Sequence, residues 1–87
     1  MILWNLRISD QAEKDLEWFR KNNKSLYSKC FDLTRAVLKN PYEGIGRPER
    51  LKYLGGNVWS RRVNHEHRMV YELFDKLIVV AAYRYHY

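Results

Sequence analysis

Residues 59–74 read WSRRVNHEHRMVYELF and residues 77–87 read LIVVAAYRYHY, with Asp75-Lys76 between them. β-Branched and aromatic side chains dominate both runs, and such residues suit a pleated, half-buried surface. The pattern predicts strands over residues 58–64, 67–74 and 77–86. Arginines and histidines are set into these apolar strands, so the sheet they build carries candidate chemistry as well as core.

Strand parity poses a sharp question about that chemistry. Arg84 and His86 are two residues apart and share one face of the last strand. If Asp75-Lys76 is a simple two-residue turn, Arg68 lies opposite Tyr83, on the other face from His86. An odd loop or a bulge pairs Arg68 with Arg84 and brings His86 to the same side. A shared basic and imidazole face therefore requires an irregular hairpin.

Upstream, residues 1–8 (MILWNLRI) read as a strand, and Ser9 follows as a helix N-cap with Asp10 and Glu13 in the first turn. Ala12, Leu16, Trp18 and Phe19 form an apolar stripe for a helix to about residue 20. Asn22-Asn23 interrupts it. A second helix is expected over residues 24–39, with Leu26, Cys30, Leu33, Val37 and Leu38 on one side. Asn40-Pro41 ends it, because the residue before proline avoids the helical region. The Gly- and Pro-rich residues 42–49 read as a loop without a phosphate-cradling P-loop pattern. A short strand over residues 50–54 and a Gly55-Gly56-Asn57 turn complete the chain. The expected fold is α+β, in the order β-α-α-β-β-β-β, with both helices on one face of a mainly antiparallel sheet.

The totals agree with one domain over residues 1–87. A chain of 87 residues buries roughly 60–65% of the surface it exposes unfolded, which leaves a marginal core. No secretory signal is expected, and the apolar run at residues 77–82 is far short of the ~20 residues of a membrane span. The single cysteine, Cys30, reads as a small apolar filler in a reducing, cytoplasmic setting. The formal net charge of +6 favours a polyanionic partner, and the excess is weighted toward the half beyond Gly44.

Three separated motifs, PYEGIGRPERLKY, WSRRVNHEHRMVY and the terminal RYHY, occur in order from Pro41 to Tyr87. In these the chain resembles the YoeB/Txe branch of the RelE-like toxins, the mRNA interferases of bacterial toxin–antitoxin modules. The resemblance implies a RelE-like, microbial-ribonuclease-like fold and a ribosome-dependent endoribonuclease acting on translated mRNA. Carried over position by position, it makes Glu49 the general base, Arg68 the stabiliser of phosphate charge and His86 the general acid. Tyr87 would lie close to substrate, and Lys52, Arg62, His67 and Arg84 would supply the basic surroundings. Arg50 stands where the family often has proline. The implied partners are a cognate YefM/Axe-like antitoxin, the ribosome and mRNA, with a homodimer in the toxin–antitoxin complex and no membrane. No metal and no cofactor are implied.

Those residue types fit the reaction. RNA cleavage by its own 2′-OH needs a base for that proton and an acid for the departing 5′-oxygen. A cation must meet the charge that grows on the phosphoryl oxygens. Carboxylates are weak bases at neutral pH, so positioning by a larger partner has to supply much of the rate.

Each assignment also has a plainer reading. Glu49 can be a solvated loop carboxylate, Arg68 and Arg84 can pair with Glu72 or Glu66, and His86 can be an ordinary terminal side chain. Tyr83 and Tyr85 suit packing, and Trp59 suits the core. His65 and His67 would share a strand face beside Glu66, but no third or fourth metal ligand follows at regular spacing. Ser60 lacks the context of a nucleophile. Two other function classes stay open: a non-catalytic RNA- or ribosome-binding module on the same fold, and a pure interaction protein such as a gyrase-directing relative. The second lacks the Glu-Arg-His combination present here.

Overall fold

The structure, a computed structural model, describes residues 3–86, so Met1, Ile2 and Tyr87 lie outside the described residues. The elements are β1 (Asn5–Ile8), α1 (Asp10–Asn22), α2 (Lys24–Lys39), β2 (Glu49–Arg50), β3 (Val58–Arg62), β4 (Arg68–Phe74) and β5 (Leu77–Tyr85). The sheet order is β1-β5-β4-β3-β2. All pairs are antiparallel except β1 with β5, which run parallel at one edge. The expected order and the α+β class are therefore the observed ones. No helix among the described residues is long and apolar enough to cross a membrane.

Local chemistry explains the helix limits. Ser9 Oγ accepts the Ala12 N–H at 3.0 Å and donates to the Ala81 carbonyl at 2.8 Å, so one hydroxyl caps α1 and ties it to β5. Asn23 closes α1 through its own N–H to the Phe19 carbonyl and caps α2 by accepting the Leu26 N–H. α2 ends at Lys39, before Asn40-Pro41, as the pre-proline rule requires.

Both helices pack on one face of the sheet. Ala12 and Phe19 of α1 and Cys30, Leu33 and Val37 of α2 cluster with Met69, Tyr71, Leu73, Ile78, Val80 and Tyr83. The Tyr83 hydroxyl reaches Thr34 of α2 at 2.6 Å, which satisfies a phenol that would otherwise be buried alone. Cys30 is fully buried, as the filler reading expects. Among the described residues the opposite face carries a smaller cluster, Leu51, Val58 and Val70 with Tyr85 against it, and the two helices leave it uncovered.

Three expected strands are shorter than their sequence patterns, the first because Leu3 and Trp4 precede β1, with Met1 and Ile2 outside the described residues. Of the expected strand over residues 50–54 only Arg50 is in one: β2 is Glu49–Arg50, and Lys52–Leu54 make a 3-10 turn. Leu51 turns inward to 2% exposure, and its N–H donates to the Val58 carbonyl. The chain then turns at Gly55 and Gly56, both with positive φ. β3 stops at Arg62 because Val63 and Asn64 both donate N–H bonds to the His67 carbonyl. Asn64 Oδ1 accepts from Glu66 N and His67 N at 2.9 and 2.7 Å, an Asx-type turn that takes His65 out of any strand. The expected His65/His67 strand face is therefore absent.

Asp15 lies on the core side of α1, between Ala12 and Phe19, and is only 4% exposed. One of its carboxylate oxygens accepts the N–H groups of Tyr83 and Arg84 at 2.9 and 3.2 Å. The other takes Gln11 Nε2 at 2.9 Å. Those two strand amides lie where the β4–β5 register shifts, so the carboxylate replaces ladder partners that the bulges remove.

Arg61 is a further charged residue of the interior, and it is fully buried. Its Nε donates to Tyr71 Oη at 3.2 Å, Nη1 to the Ile45 carbonyl at 3.2 Å, and Nη2 to the carbonyls of Asn40 and Glu43. Tyr71 Oη in turn donates to the Pro41 carbonyl at 2.6 Å. The loop from α2 to β2 thus winds around a guanidinium. At Gly46 (φ +85°) a Cβ would stand 2.7 Å from Leu33 Cδ2 and 3.0 Å from Arg61 Cβ, so the close approach requires glycine.

Three outcomes are expected. Asp15→Ala leaves two strand amides without an acceptor and lowers unfolding free energy by about 2–4 kcal/mol, read as a lower urea midpoint at unchanged slope. Asp15→Asn, which keeps an oxygen acceptor, loses less. Arg61→Lys retains charge but not the fork of donors, and costs about 2–4 kcal/mol, with faster proteolysis within residues 40–48. Burial pushes the Cys30 thiol up to about 12. At pH 8 the thiolate fraction is then on the order of 10⁻⁴, so a thiol reagent labels Cys30 only as fast as the fold opens.

Candidate active site

The register of the sheet decides which predicted site residues meet. Glu49 of β2 lies opposite Ser60 of β3, and Ser60 lies opposite Val70 of β4. Two residues along, Arg62 lies opposite Arg68, and Arg68 opposite Tyr85. Residues paired across strands share a face, and so do residues two apart on one strand. Glu49, Arg62, Arg68 and Tyr85 therefore all stand on the open face, with exposed Lys52 in the turn after β2.

Arg62 and Arg68 lie directly opposite each other across β3 and β4, which sets two positive charges side by side on this face. Ahead of Glu49 the backbone is tightly wound, with positive φ at Gly46 (85°) and at Arg47 (52°), the latter uncommon for a residue with a Cβ. Arg50 donates from Nη2 to the Gly56 carbonyl at 3.1 Å. A guanidinium thus fastens β2 to the following turn.

The hairpin between β4 and β5 answers the parity question in an unexpected way. Near the turn the pairing is that of a simple two-residue loop, Phe74↔Leu77 through Tyr71↔Val80. It then shifts to Val70↔Ala82 and again to Arg68↔Tyr85. One shift would have set Arg68 opposite Arg84, but two shifts cancel in parity. Arg84 and His86 do share a side, as their spacing requires, but it is the helix side. The Arg84 guanidinium carbon lies 3.7 Å from the centroid of the Trp18 ring. Its buried Nε has no hydrogen-bond partner among the described residues, and stacking on the indole face takes the place of one.

His86 follows the last residue of β5, so it is adjacent in sequence to the residue opposite Arg68. Its Nε2 lies 2.9 Å from His67 Nδ1, with ring centroids 4.9 Å apart. His67 is only 4% exposed and packs edge-on against Phe19 and Trp18 at 5.2 and 5.9 Å. Burial lowers its pKa, assisted by the nearby His86 and Arg84, while Glu66 works in the other direction. Burial thus favours the uncharged form of His67, which supports His86 from the helix side and does not stand on the open face. The structure brings Glu49, Arg62 and Arg68 together, and holds His67, Arg84 and His86 on the other side of the sheet's end. Tyr87 lies outside the described residues.

Two residues that organise this region were not singled out from sequence. Asp15, which pins the bulges, had a signal in its position on an apolar helical stripe at i+3 from Ala12 and i−4 from Phe19. Arg61, which winds the loop before Glu49, sits in an alternating strand where Trp59 and Val63 share its face. Its parity marked it as inward.

Comparison with known proteins places this architecture. Residues 8–87 match the family described as the YoeB-like toxin of bacterial type II toxin–antitoxin systems. A Toxin YoeB from Synechocystis is 41% identical over 73 residues, covering 84% of this chain and 85% of that protein. The YoeB dimer from Staphylococcus aureus superposes with a TM-score of 0.87 at 41% identity, covering 97% of this chain and 98% of that one. The toxin in the heterotetrameric YoeB–YefM toxin–antitoxin complex from the same organism superposes at 0.82 with 43% identity, with 97% and 98% coverage. The chain belongs to the YoeB-like toxins of bacterial type II toxin–antitoxin systems.

Proposed function

We propose that this toxin is a ribosome-dependent endoribonuclease that cuts translated mRNA in the decoding site by metal-independent acid–base chemistry. The observation that carries this reading is the open face, where the cross-strand arginines Arg62 and Arg68 stand with Glu49. Two facing cations suit a phosphodiester, and a carboxylate beside them suits removal of a proton from the adjacent 2′-OH. The attacking 2′-oxygen bonds to phosphorus, Glu49 takes its proton, and the two arginines hold the charge on the phosphoryl oxygens. His86 gives a proton to the 5′-oxygen as the P–O bond breaks, which leaves a 2′,3′-cyclic phosphate and a 5′-hydroxyl. Because His86 rests against His67, its proton reaches the open face by a turn of the chain end about Tyr85. Lys52, Arg84 and Tyr87 assist in holding the RNA backbone and bases, and His67 holds the resting position of His86.

The partner that silences such a face is an acidic antitoxin. The YoeB–YefM complex of Staphylococcus aureus supports a YefM-like one here, and the dimer of that YoeB supports a homodimeric toxin. The net charge of +6 favours both partner classes, the acidic protein and the ribosome. A cytoplasmic location follows from that reading.

Cleavage of a defined mRNA on programmed ribosomes, compared with the same RNA free, tests it. Cuts are expected on the ribosome, insensitive to chelator. Glu49→Gln and His86→Ala each lower the rate by about 10²–10⁴-fold. Absence of cleavage by the wild type, with ribosome or RNA binding retained, would replace this reading with a non-catalytic binding module.

A further inference from the structure

Outside the open face, one cluster of ligating side chains is built by the tertiary fold alone. One side-chain donor atom each from Glu66, His67 and His86 lies within 4.8 Å of the others. We propose that these three residues form a binding site for a divalent transition-metal ion of the zinc class. Each imidazole supplies one nitrogen, Glu66 a carboxylate oxygen, and water the remaining position.

The donor set selects the ion. Two imidazoles and a carboxylate suit zinc and its neighbours in the first transition row, whereas magnesium and calcium require oxygen ligands. Tetrahedral zinc with bonds of about 2.0–2.1 Å separates its donors by about 3.4 Å. His67 Nδ1 and His86 Nε2 are 2.9 Å apart, so the ion replaces their shared hydrogen by a small opening of the pair. His86 stands past the end of β5, and its backbone there is outside the strand ladder. The Glu66 carboxylate, already 3.5 Å from His67 Nε2, is 58% exposed and can swing to the Nδ1 side.

The support around these ligands is that of a held site. His67 is fixed by the edges of Trp18 and Phe19, and the turn that presents Glu66 and His67 is pinned by Asn64 Oδ1. His65, the ligand that sequence spacing offered, is exposed in the turn and is not one of the three.

Such an ion would hold the His86 imidazole on the helix side, away from Arg68. On the proposed function it would therefore suppress cleavage, a consequence that rests on that reading. The site itself does not. Calorimetric titration of zinc chloride into untagged, metal-free protein is expected to give one saturable site per chain, and cobalt(II) in the same protein to give the visible bands of a four-coordinate ion. His86→Gln, at an exposed position that leaves the fold intact, and Glu66→Gln are each expected to weaken zinc by at least about the 10–100-fold that loss of an outer-shell partner costs. His65→Gln is expected to leave binding unchanged. No saturable binding, unchanged affinity in His86→Gln, or loss of binding in His65→Gln would each overturn the proposal. Zinc binding through His86 in a protein that cuts no RNA would uphold the site and discard only its consequence for cleavage.

Discussion

A single buried carboxylate decides how the end of this sheet is put together. Asp15 projects from α1 into the core and accepts two successive strand amides, those of Tyr83 and Arg84. Consecutive amides of a regular strand point in opposite directions, so one oxygen can take both only where the strand is bulged. The same bulged segment is held at Ala81 by the Ser9 hydroxyl that caps the helix. Helix position and strand register are thus one constraint. Through it α1 determines which way Arg84 and His86 face relative to Arg68.

At the other edge of the sheet Arg61 plays a comparable part. Burying a guanidinium is tolerable only when its donors are met, and here three backbone carbonyls and a tyrosine hydroxyl meet them. Three loop carbonyls converge on this one buried guanidinium, so the charge and the loop stabilise each other. Glu49 emerges directly from this wound segment. Its place on the open face follows from a rigid loop rather than from β2, which has only two residues.

The two faces divide the labour of the chain. The helix side carries the main core, and it also holds three polar residues of the C-terminal region: His67 against Phe19, Arg84 on Trp18, and His86 on His67. The open face carries Glu49, Arg62 and Arg68. His86 lies at the boundary, one residue past the strand whose last member faces Arg68.

Much of this protein was legible in its residues. The capping Ser9, the Asn23 break, the 24–39 helix and the order of strands follow from local chemistry, because helix ends and turns are set by neighbouring side chains and backbone sterics. The motifs from Pro41 to Tyr87 carried the family, and spacing alone put Arg84 and His86 on one side. What only the tertiary structure decided is which side that is. Strand parity is local, but register accumulates every bulge between two residues, and these bulges are stabilised by an aspartate 68 and 69 positions earlier in the chain. The same holds for the turn that removes His65 from its expected strand and for the meeting of His67 with His86. Contacts between residues distant in sequence depend on packing and on competing hydrogen-bond partners, and no local pattern contains them.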